Sequence, residues 1–118
     1  MKPLGIHLII DGWQSPPSLL NDADHIRFAL TQAVLAGGAT LIELAVHQFN
    51  PQGLTATATL AESHMTIHTW PELGFFAADI FFCGNGDAEA AMRVLLECLQ
   101  AQQSRVRKLM RGEPVDVG

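Results

Sequence analysis

The chain has 118 residues and a formal net charge of −5, and 48% of its residues are hydrophobic against 16% charged. This length suits one compact domain, residues 1–118, and the acidic balance argues against nucleic acid, whose protein partners usually show a basic patch. Residues 1–10 lack the pattern of a secretory signal, no apolar run reaches the roughly 18 residues that span a bilayer, and two cysteines are too few for a disulfide framework, so we expect a cytoplasmic protein without a membrane partner.

The N-terminal third predicts a strand, a loop and a helix. Isoleucine and leucine supply the apolar content of a short buried strand over Gly5–Asp11. Glycine and two prolines then mark a loop over Gly12–Leu20. Asn21 is a good N-cap for a helix whose apolar residues recur at i, i+3, i+4, i+7 and i+8, and Gly37-Gly38 ends that helix.

The remainder of the chain has mostly strand patterns. We predict strands over Thr40–Phe49, Leu54–Leu60, His64–Thr69 and Phe75–Phe82, with turns at Asn50–Gly53 and Pro71–Gly74. Asp87 then caps a second helix, and Ser104–Met110 forms a last strand. This order predicts an α+β fold, a two-layer sandwich with helices packed on one face of a mostly antiparallel sheet.

A dense polar cluster occupies the segment from Ala61 to Glu72, which carries a hydroxyl, two imidazoles and two carboxylates in a dozen residues. Composition alone allows a serine nucleophile with a histidine base, a metal site, or polar side chains on an exposed sheet face. The metal ligands would come from His7, His47, His64, His68 and Cys83. No metal-binding spacing on a helix and no C-x-x-C pair supports the metal interpretation.

The string A-E-S-H-M-T-I-H-T-W-P-E closely resembles the self-cleavage signature of prokaryotic S-adenosylmethionine decarboxylases. The resemblance covers roughly residues 5–100, most of the chain. Other matching segments are His7–Asp11, Leu20–Asp22, Gly38–Thr40, Phe49–Gly53 and Phe81–Gly84.

The resemblance implies that the chain cuts itself. Ser63 would attack the carbonyl of Glu62, and β-elimination would leave fragments 1–62 and 63–118, the second beginning with a pyruvoyl group made from the serine. His68 is implied as the processing base, a role that suits an imidazole because it titrates near neutrality. Thr55 matches a position at which the family carries a small hydroxyl residue, more often serine, that assists processing.

The resemblance also implies the reaction of the mature protein, in which the substrate amine forms a Schiff base with the pyruvoyl ketone and loses CO₂. The pyruvoyl group acts as the electron sink, as pyridoxal phosphate does elsewhere. Cys83 matches the family's proton donor, and Phe49 and Glu72 match its substrate-binding positions, an aromatic for adenine or sulfonium and a carboxylate for ribose hydroxyls. The product would be the aminopropyl donor for spermidine synthesis, and we expect a homodimer of αβ units that needs no metal.

Two segments depart from the family pattern. Asp11–Ser15 lacks the usual Gly-Cys pair, and Thr55–Thr57 replaces the more usual Ser/Thr-Gly-apolar sequence. Both departures leave the processing serine, histidine and cysteine intact. They bear on the substrate, so an arginine or ornithine decarboxylase on the same scaffold stays an alternative. A non-processing homologue with a regulatory role is the other alternative, and the intact serine, histidine and cysteine argue against it.

Overall fold

A computed structural model describes residues 3–115. Within that range the sheet consists of β1 Gly5–Trp13, β2 Leu41–Gln48, β3 Leu54–Leu60, β4 Ser63–Trp70, β5 Phe75–Cys83 and β6 Gln103–Arg111. The helices are α1 Pro17–Leu20, α2 Ala23–Ala36 and α3 Ala88–Cys98, with a 3-10 turn at Pro71–Leu73. The strand order is β2-β3-β4-β5-β1-β6, and all neighbouring strands are antiparallel. The predicted α+β sandwich is confirmed.

The hydrophobic core lies between α2, α3 and one face of the sheet. Strand side chains alternate between faces, so Met65, Ile67 and Thr69 of β4 are buried while His68 and Trp70 are exposed. The core includes Leu8, Ile10, Ile26, Leu30, Met65, Ile67, Phe76, Ile80 and Leu95. No helix among residues 3–115 is long and apolar enough to cross a bilayer.

The other face of the sheet, which we call the open face, is not covered by the helices described here. It carries His7, Trp13, Thr55, His64, Thr66, His68, Trp70, Phe75, Asp79 and Phe81. At the end of β4 that holds His68, the rings of Trp13 and Trp70 lie 4.3 Å and 5.3 Å from the ring of Phe75. This face therefore combines polar groups with a sizeable aromatic patch.

The segment after β1 differs from its prediction. The strand continues to Trp13 because Gly12 pairs with both Phe76 and Ser104, and Pro17 begins a short helix inside the predicted loop. Asp22, not Asn21, caps α2, with its side chain accepting from the backbone N–H of His25 at 3.1 Å. Both residue types cap helices well, so the local sequence could not decide between these neighbours.

Gly12 is required by the packing of Phe76, whose fully buried ring occupies the space into which a β-carbon at Gly12 would project. We expect Gly12→Ala to lower the free energy of unfolding by about 1–3 kcal/mol because the ring cannot move without displacing the core. Denaturant unfolding measures this change. Adding Phe76→Leu, which removes the contacting ring atoms, should make the pair less destabilising than the sum of the single changes. Strict additivity would contradict this explanation.

Candidate active site

The predicted cleavage site lies in the tight turn between β3 and β4. Leu60 pairs with Ser63, so Ala61 and Glu62 form the exposed tip of the hairpin. Glu62 has a φ of 62°, the left-handed conformation that costs a non-glycine residue roughly 1–2 kcal/mol. Cleavage at the Glu62 carbonyl would release that strain, since the residue would then become a free chain end.

Ser63 is held against the end of β5. Its Oγ accepts a hydrogen bond from the backbone N–H of Cys83 at 3.0 Å. The register of β4 with β5, in which His64 faces Phe81, brings these two residues together. A small cleft at this end of the sheet is lined by Gly38, Thr40, Ala61, Ser63 and Cys83, among others. The Ser63 hydroxyl and the backbone N–H of Cys83, the two residues that the resemblance singles out, are therefore in contact at this end of the sheet.

Another group of predicted residues meets around the far end of β4. Thr55 and His68 are cross-strand partners, and the Thr55 Oγ1 and His68 Nδ1 atoms are hydrogen bonded at 3.0 Å. In the tautomer in which Nδ1–H donates to Thr55, Nε2 of the exposed His68 ring carries the lone pair that a base needs. Phe49, Thr55, His68, Trp70 and Glu72 line a cleft of about 240 Å³ here. This is less than the roughly 300 Å³ at which small-molecule sites begin.

The two groups lie at opposite ends of β4. Ser63 and His68 are five residues apart in one extended strand, which places their Cα atoms about 17 Å apart. A base must come within hydrogen-bond reach, about 3 Å, of the proton that it removes. His68 therefore cannot serve Ser63 of its own chain, and the sequence cluster is two half-sites in space. We call them the serine half-site, with Ser63 and Cys83, and the histidine half-site, with Phe49, Thr55, His68 and Glu72.

A hydrogen-bonded network lies on the open face close to the serine half-site. The Asp79 carboxylate accepts from Nε2–H of His7 at 2.6 Å and from Nε2–H of His64 at 3.0 Å, both at Oδ2, and from the Thr66 hydroxyl at Oδ1. Arg111 donates to Nδ1 of His7 at 2.9 Å. That bond fixes the tautomer of His7, whose remaining proton is on the nitrogen facing Asp79.

This network bears on the metal interpretation for the described residues. Of the candidate ligands, His7 and His64 come together, joined by Asp79, with donor atoms within 4.8 Å of one another. His47, His68 and Cys83 lie outside this group. A metal on Nε2 of His7 would require that nitrogen to lose its proton, yet Arg111 keeps the proton there by donating to the other ring nitrogen. The arrangement is that of a hydrogen-bond network.

Asp79 and the network around it were not predicted from the sequence, in which His7 was only a possible metal ligand. One signal was present: Asp79 is the single charged residue of the apolar strand Phe75–Cys83. A carboxylate in such a strand is rarely buried without partners. The partners themselves come from β1 and β4, which are distant in sequence, so their identity was not visible.

The pKa of Asp79 is lowered from its ordinary value of 3.8: burial pushes it up, but the hydrogen bonds from Thr66, His7 and His64 outweigh burial. Because the pKa is lower in the folded than in the unfolded chain, the unfolded chain binds more protons as pH falls. The stabilisation is therefore complete above about pH 4 and is lost as pH falls through the folded pKa. We expect the free energy of unfolding to fall more steeply below pH 4 in the wild type than in Asp79→Asn. Parallel curves from acid titrations of the two proteins would refute this.

The comparisons with known proteins agree on one family. A family model described as S-adenosylmethionine decarboxylase matches residues 6–112. The S-adenosylmethionine decarboxylase proenzyme of Parasynechococcus marenigrum is 43% identical over 115 residues, covering 97% of this chain and 90% of that protein. The proenzyme of Methanococcus maripaludis is 42% identical over 113 residues, with coverage of 95% and 93%.

Solved structures give the same fold. The adenosylmethionine decarboxylase of Aquifex aeolicus VF5 matches all of this chain and 98% of its own, with a TM-score of 0.90 and 30% identity. The Trypanosoma brucei AdoMetDC-delta26 monomer shares the fold at a TM-score of 0.61 and 17% identity, over 86% of this chain and 44% of its own. The fold and its turn thus define the class of adenosylmethionine decarboxylase-like α+β sandwiches. Within that class, the chain belongs to the S-adenosylmethionine decarboxylase family.

Proposed function

We propose that this chain is a self-processing, pyruvoyl-dependent S-adenosylmethionine decarboxylase, a carboxy-lyase that makes the aminopropyl donor for spermidine synthesis. One observation supports this proposal most strongly. This chain belongs to the family, and its Glu62–Ser63 bond lies at an exposed hairpin turn in which Glu62 is strained. The Ser63 hydroxyl accepts a hydrogen bond from the backbone N–H of Cys83. The free thiols of Cys83 and Cys98 agree with a reducing cytoplasm as the site of the reaction.

Processing begins at the hydroxyl of Ser63. Its oxygen bonds to the carbonyl carbon of Glu62, and the bond from that carbon to the Ser63 nitrogen breaks. The nitrogen takes up the hydroxyl proton, and the amide becomes an ester. His68 of a second chain then removes the Cα proton of Ser63, and the Cβ–O bond breaks with the electron pair, releasing Glu62 as a carboxylate. Water replaces the amine of the resulting dehydroalanine, ammonia leaves, and residue 63 becomes a ketone.

The strand order explains why the two fragments should stay associated after cleavage. Cleavage places β1, β2 and β3 in fragment 1–62 and β4, β5 and β6 in fragment 63–118. In the sheet β1 lies between β5 and β6, so a strand of the first fragment is inserted between two strands of the second. Separating the fragments would break ladders on both sides of β1 and between β3 and β4. We therefore expect the fragments to stay together under native conditions.

The residues present fit the pyruvoyl group, since its precursor Ser63 lies beside Cys83 and accepts a hydrogen bond from the Cys83 backbone N–H. When formed, the group supplies the electron sink for loss of CO₂. Cys83, on the strand next to Ser63, is the residue that we propose as the proton donor to the substrate carbon. Phe49 offers an aromatic surface for adenine or the sulfonium, and Glu72 offers a carboxylate for the ribose hydroxyls. Glu72 is the one acidic residue lining this cleft, which favours an adenosyl substrate over arginine.

The separation of the half-sites supports a homodimer. A two-fold axis that lies between the open faces and crosses β4 at its middle would bring the start of β4 of one protomer, which carries Ser63, to the end of β4 of its partner, which carries the histidine half-site. A two-fold interface uses the same surface on both subunits, so two complete sites would form. The open face has the apolar content for this contact, since Trp13, Trp70 and Leu109 are 44%, 39% and 47% exposed.

Intact-mass spectrometry under denaturing conditions tests the proposal. We expect fragments 1–62 and 63–118, the second lighter by one ammonia than a fragment with an N-terminal serine. Release of labelled CO₂ should follow from S-adenosylmethionine and not from arginine or ornithine. A chain that stays whole through long incubation would refute the decarboxylase and favour the non-processing homologue. Release from arginine or ornithine alone would support the other enzyme.

A further inference from the structure

The Asp79 network touches the residue to which the ketone would be attached. After cleavage at Glu62–Ser63, the new terminal group is bonded to the backbone nitrogen of His64. The His64 side chain is tied to Asp79 Oδ2 at 3.0 Å, and Thr66, two residues further along β4, is tied to Oδ1. The first residues after the cut are therefore anchored by side chains as well as by the sheet ladder.

Cleavage makes that anchoring important. In the uncut chain the turn at Ala61 and Glu62 holds the start of β4 against β3. Once the turn is cut, the start of β4 becomes a chain end, and chain ends fray unless they are tied down. His64 retains its backbone pairing with Phe81 and Thr59. Its hydrogen bond to Asp79 is a directional side-chain contact in the first residue after the cut.

Asp79 is itself held in one orientation. His7 and His64 donate to one carboxylate oxygen and Thr66 donates to the other. Arg111 fixes the tautomer of His7, so that ring must donate to Asp79. The exposed fractions of the His7 and Asp79 side chains are 13% and 21%, so water competes weakly for these bonds. The carboxylate cannot rotate without losing several charge-assisted hydrogen bonds.

We infer that Asp79 is a positioning residue, which fixes the terminal ketone for the substrate through its hydrogen bond to His64. The inference rests on the proposed function and adds a residue to which neither the sequence motif nor the resemblance assigned a role. Asp79 contacts neither Ser63 nor the cleft around Phe49. Replacing it should therefore change the rate of decarboxylation after cleavage and not the cleavage itself. Misplacing reacting groups by about 1 Å can lower a rate 100-fold.

The test measures turnover per ketone. Wild type and Asp79→Asn would be titrated with a carbonyl reagent such as hydroxylamine, the adduct counted by intact mass, and kcat for S-adenosylmethionine divided by the ketone content. We expect the Asp79→Asn chain to cleave itself. Its kcat per ketone should be about 10- to 100-fold lower than that of the wild type, because an amide cannot accept hydrogen bonds from His7, His64 and Thr66 together. The matched control is Glu89→Gln, which removes an exposed carboxylate that binds Lys108 on the other face of the sheet. Its kcat per ketone should not change.

A second pair of variants separates positioning from general damage to the fold. His64→Gln keeps an N–H donor toward Asp79 and should retain most of the turnover, while His64→Leu should lose as much as Asp79→Asn. The double variant Asp79→Asn/His64→Leu should lose no more than either change alone, since both act through one bond.

Three results would overturn the inference. They are an unchanged kcat per ketone in Asp79→Asn, additive losses in the double variant, and a folded Asp79→Asn protein that does not cleave, which would assign the residue to processing. If the wild type itself forms no ketone, the proposed function fails and the inference fails with it. That outcome is distinguishable because it appears before any variant is made.

Discussion

Ser63→Ala should leave an uncleaved chain of 12.8 kDa and abolish decarboxylation. Alanine has no oxygen to attack the Glu62 carbonyl and no Cβ–O bond to break, so neither the ester nor the ketone can form. Without the ketone the substrate amine has no electron sink, and the loss should be complete. The free energy of unfolding of the variant should fall by only about 1 kcal/mol, the contribution of the hydrogen bond that the serine hydroxyl accepts from the Cys83 N–H.

Ser104→Ala is the matched control, since Ser104 lies on the exposed edge strand β6, away from both half-sites. It should cleave and turn over at the wild-type rate. Intact mass and CO₂ release report both outcomes. A cleaved Ser63→Ala chain, or an uncleaved one that still decarboxylates, would show that Ser63 is not the precursor of the reactive group.

Local sequence patterns predicted most of the strands and helices correctly. The strict alternation of Leu54–Leu60 predicted β3 to the residue, and Asp87 caps α3 as expected, accepting from the Ala90 N–H at 3.0 Å. The errors lie where several local solutions have similar energies. Asn21 and Asp22 both cap helices well, and Pro17 fits a loop as well as a first helical turn.

The spatial arrangement of the site residues was harder to predict from the sequence than the fold was, for a different reason. The motif contains both Ser63 and His68, and their closeness in sequence suggests one cluster. Extended backbone separates them by about 17 Å, which the predicted strand already implied at 3.3–3.4 Å per residue. Asp79 could not be connected to His7 and His64 because their contacts depend on the order of strands in the sheet, which no local pattern fixes.

Separate half-sites give the homodimer a consequence that a single cluster would not have. If each complete site combines Ser63 and Cys83 of one protomer with His68 of its partner, a chain with a broken serine half-site still carries an intact histidine half-site. Two inactive variants can then complement each other in a mixed dimer, which has one complete site. If both half-sites acted within one chain, mixing inactive chains would restore nothing.

Co-expression of Ser63→Ala with His68→Ala should therefore restore activity that neither variant has alone. Random pairing makes about half of the dimers mixed, and each has one complete site of two, so about a quarter of the wild-type activity is expected. Intact mass should show that the His68→Ala chain is the one that cleaves, because it retains Ser63 and receives His68 from its partner. Ser63→Ala with Cys83→Ala is the matched control: both changes damage the serine half-site, so no pairing yields a complete site. Equal recovery in the two mixtures, or none in the first despite proven mixed dimers, would contradict the shared site.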